Sequence, residues 1–235
     1  METSLYAAFG LGLILGIKHA LDADHLIAVS TLVSEHQSLK WASLIGAFWG
    51  LGHTFTLLVV GLAVILLRLT IPPRVALALE FLVAAMLIFL GFNILWRSFQ
   101  AERLHLHIHE HNPKRHTHFH EHGEPQEDHA HTHPFSSMRK PFFIGMVHGL
   151  AGSAALMLLV LSTIPSALAG LAYILIFGLG SVGGMLALSS VIGLPFILTA
   201  RRFTVLNRWI RVVAGTASVG FGIILGWEIG QQGLF

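Results

Sequence analysis

Residues 5–33 read LYAAFGLGLILGIKHALDADHLIAVSTLV. The run is apolar from Leu5 to Ile17 and again from Leu26 to Val33, yet Lys18, His19, Asp22, Asp24 and His25 interrupt it. A bilayer span needs about 20 mostly apolar residues, and this one is long enough to cross. It has no basic N-terminal region and no small-residue cleavage site, so it reads as a first span rather than a secretory signal.

Five further runs follow the same rule: Trp41–Leu69, Val75–Trp96, Pro141–Thr163, Ser166–Leu198 and Val205–Gly230. The chain of 235 residues is 54% hydrophobic and only 11% charged, far from the quarter or so expected of a soluble domain. The expected fold is an all-α integral membrane protein of six transmembrane helices. Its three parts are residues 1–100, a loop over 101–138, and residues 139–235. The absence of cysteine excludes a disulfide scaffold and thiolate metal sites. Scattered cations with no basic stripe exclude nucleic-acid binding.

Basic residues set the expected orientation. One side of a six-span chain receives Lys40, Arg97, Arg103, Lys114, Arg115, Arg139, Lys140, Arg201, Arg202, Arg208 and Arg211, against Arg68 and Arg74 on the other. Both termini are therefore expected outside the cytoplasmic membrane and the 101–138 loop in the cytoplasm.

The halves resemble each other. GIKHALDADHL pairs with GMVHGLAGSAAL, matching His19 with His148. WGLGH (49–53) pairs with FGLGS (177–181), and GFNIL from Gly91 pairs with GFGII from Gly220. His19 to Gly91 and His148 to Gly220 are both 72 residues. Three spans per half is an odd number, so the halves are expected as inverted repeats, a transporter arrangement with its binding site near the midplane.

Ionisable residues at a span centre cost roughly 2.5–3.5 kcal/mol each. Lys18, Asp22 and Asp24 left unpaired would together cost on the order of 8–10 kcal/mol. Lys18 and Asp22, four apart, are expected to pair along one helix face. His19, Asp24 and His25 then need a partner, and a divalent cation suits them. His19 and His25 are six apart and diverge on a regular helix, so a shared ion requires a bend or break, which Gly12 and Gly16 upstream favour.

His53 in the next span is a further candidate ligand, against the blander reading of an imidazole bonded to a carbonyl. Asp22 and His148 are secondary candidates, His148 being balanced between ligation and support. Glu80 and Glu228 read as interfacial carboxylates, and Asn93 as a helix–helix hydrogen bond. Imidazoles with a carboxylate suit Ni(II), Co(II), Cu(II) or Zn(II) better than Mg or Ca.

The 101–138 loop holds eleven of the 16 histidines: His105, His107, His109, His111, His116, His118, His120, His122, His129, His131 and His133. Its polar, low-complexity, Pro-interrupted composition predicts disorder. Neutral imidazoles at alternating positions chelate metals weakly, so the loop reads as a metal buffer or sensor that loses its ion on acidification. The competing reading is a solvated, pH-responsive linker.

The pattern His19-Ala20-Leu21-Asp22-Ala23-Asp24-His25, H-x-x-x-x-D-H, resembles the metal motif of the nickel/cobalt transporter family. Leu51-Gly52-His53-Thr54 is similar to that family's L-G-H-[ST] stretch one helix later. The six-span layout, over nearly the whole chain, is similar to its short members, the urease accessory nickel permeases. The resemblance implies a secondary permease for Ni(II), with Co(II) as second cargo, and no cofactor beyond the transported metal. It also implies no enzyme activity. A homo-oligomer and nickel-enzyme maturation machinery are the partners it suggests besides the lipid bilayer. Longer members carry an extra first helix, and an acidic, threonine-containing motif where this chain has HGLAGSAAL. The related efflux permeases typically have Gly where Asp24 stands, which directs the expectation to uptake.

Alternatives are an efflux permease or a membrane metal sensor that does not translocate. Cation-diffusion facilitators use H-x-x-x-D pairs, and the fourth residue after His19 is Ala23 and after His148 is Gly152. An intramembrane metalloenzyme lacks an H-E-x-x-H motif beside the cluster.

Overall fold

The computed structural model describes residues 2–67, 71–100, 106–111, 114–119, 134–150, 166–200 and 202–234. Seven α-helices run through these residues: α1 (Glu2–His19), α2 (Ala23–Val33), α3 (Leu39–Leu67), α4 (Pro73–Gln100), α5 (Pro134–Gly149), α6 (Ala167–Ala200) and α7 (Thr204–Ile229). Helices α3, α4, α6 and α7 are each long and apolar enough to cross a membrane, whereas the first apolar run is divided between two shorter helices. Of the expected fourth span, only its start in α5 is described; the remainder, to Thr163, lies outside the described residues.

The first run breaks at Ala20–Asp22. The amides of Leu21 and Asp22 donate to the carbonyls three residues back, at 2.9 and 3.1 Å, which tightens the last turn of α1. Asp22 then turns extended (φ −63°, ψ 148°) and α2 begins anew. At the matching place in the second half, α5 ends the same way, the Leu150 amide donating to the Val147 carbonyl at 3.2 Å.

Polarity is distributed inside out relative to a water-soluble protein. Leu179, Leu198, Phe89, Val213 and Trp227 are among the most exposed side chains, while His25, His53, Ser181 and Ser189 are completely buried. With apolar surroundings outside, close backbone approach and internal hydrogen bonds hold the helices together. Ser218 donates to the Leu87 carbonyl at 2.7 Å, joining α7 to α4. Glycines permit the tightest contacts. A β-carbon at Gly16 of α1 would strike the Phe177 carbonyl of α6, and one at Gly145 of α5 would strike the Trp49 carbonyl of α3. Gly180 approaches Leu13 in the same manner, and Gly52 approaches Phe142. Helix α3 thus lies between α5 and α6, and α6 between α1 and α3.

Part of the histidine-rich loop departs from the expected disorder. Leu106–His111 and Lys114–Phe119 pair as antiparallel strands β1 and β2, with His107 opposite His118 and His109 opposite His116. The cause is legible after the fact: histidine alternates with Leu, Ile, Thr and Phe in period two, a strand pattern.

Candidate metal centre

The break between α1 and α2 resolves the spacing problem posed by His19 and His25. Because the chain reverses out of helical geometry at Ala20–Asp22, the two imidazoles meet with ring centroids 4.4 Å apart. His53, from the middle of α3, lies 5.0 Å from His19 and 5.5 Å from His25. His148, at the end of α5, lies 4.2 Å from His25 and 6.3 Å from His53. Four histidines from four helices therefore surround one point inside the bundle.

Two carboxylates fix the imidazole tautomers. A carboxylate only accepts hydrogen bonds, so each nitrogen touching one carries the proton. His19 donates from Nδ1 to Asp22 at 2.7 Å, and His25 donates from Nδ1 to Asp24 at 3.1 Å. The other oxygen of Asp24 accepts from Nε2 of His148 at 2.9 Å. Asp24 sits in the first turn of α2 and also accepts the His25 amide at 2.9 Å, a position where the helix dipole favours negative charge. The remaining lone pairs are then on Nε2 of His19, Nε2 of His25 and Nδ1 of His148. These atoms are buried and, with both ring nitrogens of His53, make no hydrogen bond among the described residues.

His19, His25 and His53 each present one ligand atom within 4.8 Å of the others, and Asp24, His25 and His148 form a second such group sharing His25. A metal–imidazole bond is about 2.0–2.1 Å, so nitrogens on opposite sides of one ion stand about 4.1 Å apart, and only a small inward adjustment is required. Imidazoles whose other N–H is held by a carboxylate are the usual form of metal-binding histidine.

The expected Lys18–Asp22 pair does not form among the described residues. Asp22 lies past the end of α1 in extended conformation, outside i,i+4 helical geometry, and takes His19 instead. Of the loop histidines, His107, His109 and His111 fall on β1, and His116 and His118 on β2. His105, His120, His122, His129, His131 and His133 lie outside the described residues.

Aromatic rings that the sequence reading did not single out enclose the cluster. Trp49 packs against His25 (5.2 Å) and His148 (5.5 Å), and Phe177 against His19 (5.7 Å). Their signal was the WGLGH/FGLGS match, in which Trp49 and Phe177 hold corresponding places.

Away from the cluster, a cavity of about 190 Å³ beyond the end of α2 is lined by Glu35, His36, Asn93 and Lys140, among others. Glu35 accepts from Arg97 at 3.2 Å. Burial holds the His36 imidazole below its ordinary range, and Lys140 adds to that effect against the opposing hydrogen bond to Leu32 and the charge of Glu35. Asn93, expected in a helix–helix hydrogen bond, is among the residues lining this cavity.

A family model described as NicO, high-affinity nickel-transport protein, matches residues 5–214. The chain is 41% identical over 241 residues to the urease accessory protein UreH of Bacillus sp. (strain TB-90), covering 100% of this chain and 97% of that protein. No solved structure matches it. With most of its length matched, including both histidine motifs, the chain belongs to the NicO family of high-affinity nickel-transport proteins.

Proposed function

We propose that this protein is a secondary permease of the cytoplasmic membrane that takes up Ni(II), with Co(II) as a second cargo. The observation that carries the reading is the convergence of three imidazoles, the largely buried His19 and the fully buried His25 and His53. Each has a buried ring nitrogen with no hydrogen-bond partner among the described residues and a ligand atom within 4.8 Å of the others. Buried polar atoms without partners are costly, and an ion passing through the site satisfies them. In this reading Nε2 of His19, Nε2 of His25 and one nitrogen of His53 bind the ion. Asp22 and Asp24 hold the rings, Asp24 being available as a ligand when His148 releases it.

The two parts flanking the loop, residues 1–100 and 139–235, act as inverted repeats that rock to alternate access. The reciprocal contacts support this: α1 meets α6 through Gly16 and Phe177, and α5 meets α3 through Gly145 and Trp49, pairs that correspond in the repeat alignment. The bias of Lys and Arg supports termini outside and a cytoplasmic histidine-rich loop. There the loop buffers incoming metal before it passes to nickel-enzyme maturation, a reading supported by the UreH relative's name as a urease accessory protein. Cellular nickel measured with and without expression tests the direction. A rise supports uptake, and a fall makes the protein an exporter.

A further inference from the structure

We infer that the hydroxyl of Ser181 is an oxygen ligand for the transported ion, contributed by the second half of the chain. The inference rests on the metal site proposed above. Ser181 lies mid-way along α6, is completely buried, and its Oγ has no hydrogen-bond partner among the described residues. That is unlike its neighbours. Ser189 and Ser190 on the same helix donate to the Leu186 carbonyl at 3.0 and 2.7 Å, as serines in apolar helices ordinarily do.

The two carbonyls that would serve Ser181 in this way both face neighbouring helices, and neither accepts its hydroxyl. That of Phe177 abuts Gly16 of α1, and that of Gly178 accepts the Thr54 hydroxyl at 3.3 Å. The hydroxyl is left for another partner.

Neighbouring contacts locate Ser181 beside the histidines. Its backbone nitrogen would lie 3.0 Å from a β-carbon at Gly16, and Gly184, one turn on, meets Ala20, so the stretch of α1 carrying His19 passes across it. On the other side Val182 meets Gly50 and Gly178 meets Thr54, which places the turn of α3 carrying His53 alongside. Phe177, four residues earlier on the same helix face, touches the His19 ring. Ser181 also corresponds to His53 in the match of WGLGH with FGLGS. A set of nitrogens from three imidazoles leaves coordination positions open on Ni(II) or Co(II), and a hydroxyl oxygen suits such a nitrogen and oxygen site. The ion is then held across the junction of the two halves, where their relative movement can take a ligand away.

The test uses the full-length protein purified in detergent, with Co(II) and Ni(II) titrations and metal-edge X-ray absorption on wild type, Ser181→Ala, Ser181→Cys and His25→Ala. Both serine variants are close to the native volume, and circular dichroism checks their fold. The expected result is at least tenfold weaker binding in Ser181→Ala, and a metal–sulfur contribution in Ser181→Cys that wild type, which has no cysteine, lacks. Wild-type affinity in Ser181→Ala, or no sulfur contribution in Ser181→Cys, overturns the assignment. If His25→Ala loses binding while Ser181→Ala keeps it, only the serine assignment fails. If His25→Ala also binds as wild type does, the histidine site itself is wrong.

Discussion

Asp24 of α2 and His148 of α5 meet at 2.9 Å, a hydrogen bond between residues 124 positions apart. Through it one carboxylate fixes imidazoles from both halves of the chain, since its other oxygen holds His25 at 3.1 Å. Replacing Asp24 with Asn substitutes a donor for one of the two acceptors. One imidazole must then turn over or change tautomer, and its free nitrogen is lost from the cluster. Nickel affinity of Asp24→Asn, measured by titration of the purified protein, is expected to fall about 10–100-fold, the range for lost support of a ligating histidine. Unchanged affinity would mean that the carboxylate plays no part in presenting the rings.

Trp49 is fully buried and braces His25 and His148. Trp49→Ala removes the largest side chain beside the cluster and is expected to destabilise the protein by roughly 3–5 kcal/mol. Trp49→Phe keeps a ring in place and should lose less. Thermal unfolding in detergent, compared between the two variants, measures the difference.

Glycines divide into two classes by what surrounds them. Gly16→Val and Gly145→Val force a β-carbon into a facing carbonyl and should abolish accumulation of folded protein. At Gly220 nothing lies within 4 Å of an added β-carbon, and Gly220→Ala should accumulate normally, since alanine is the better helix former. Fluorescence-detected size exclusion of tagged variants distinguishes the classes. A monodisperse Gly16→Val protein would contradict the close packing of α1 on α6.

The helical membrane architecture was legible from the apolar runs, and the cluster from the polar residues that those runs would not otherwise carry. Spacing alone could not bring His19 and His25 together, because periodicity describes unbroken helices and the contact depends on three residues that leave the helix. The same break misled the pairing of Lys18 with Asp22, which presumes i,i+4 geometry. Trp49, Phe177 and Ser181 stood out in the sequence only as matched positions of WGLGH and FGLGS, not as site residues, for a different reason. An aromatic residue, or a serine in an apolar helix, is ordinary packing material, and only the ring contacts and the missing hydrogen bond set these three apart. In the loop, composition argued for disorder while its period-two alternation, present in the same residues, argued for β1 and β2.

Removing residues 105–133 separates the loop from the site. Transport should survive the deletion, with altered affinity or regulation, because the intramembrane imidazoles remain. In the intact protein, metal held by the loop should be released as pH falls through about 6.5, since protonated imidazole cannot ligate. Metal retained per protein at pH 7.5 and pH 5.5 (about one unit either side of that value), with and without the deletion, checks both statements. Complete loss of transport on deletion would make the loop part of the pathway.

Nickel crossing the bilayer by way of His19, His25 and His53 makes transport depend on each of these imidazoles. The most direct test is nickel entry into liposomes containing purified wild-type, His25→Ala or His53→Ala protein and a trapped nickel-sensitive dye. Wild type should fill the vesicles, and each variant should reduce the initial rate at least tenfold while still reconstituting to the same protein density. Nickel entry at the wild-type rate through both variants would show that the ion does not pass by these histidines.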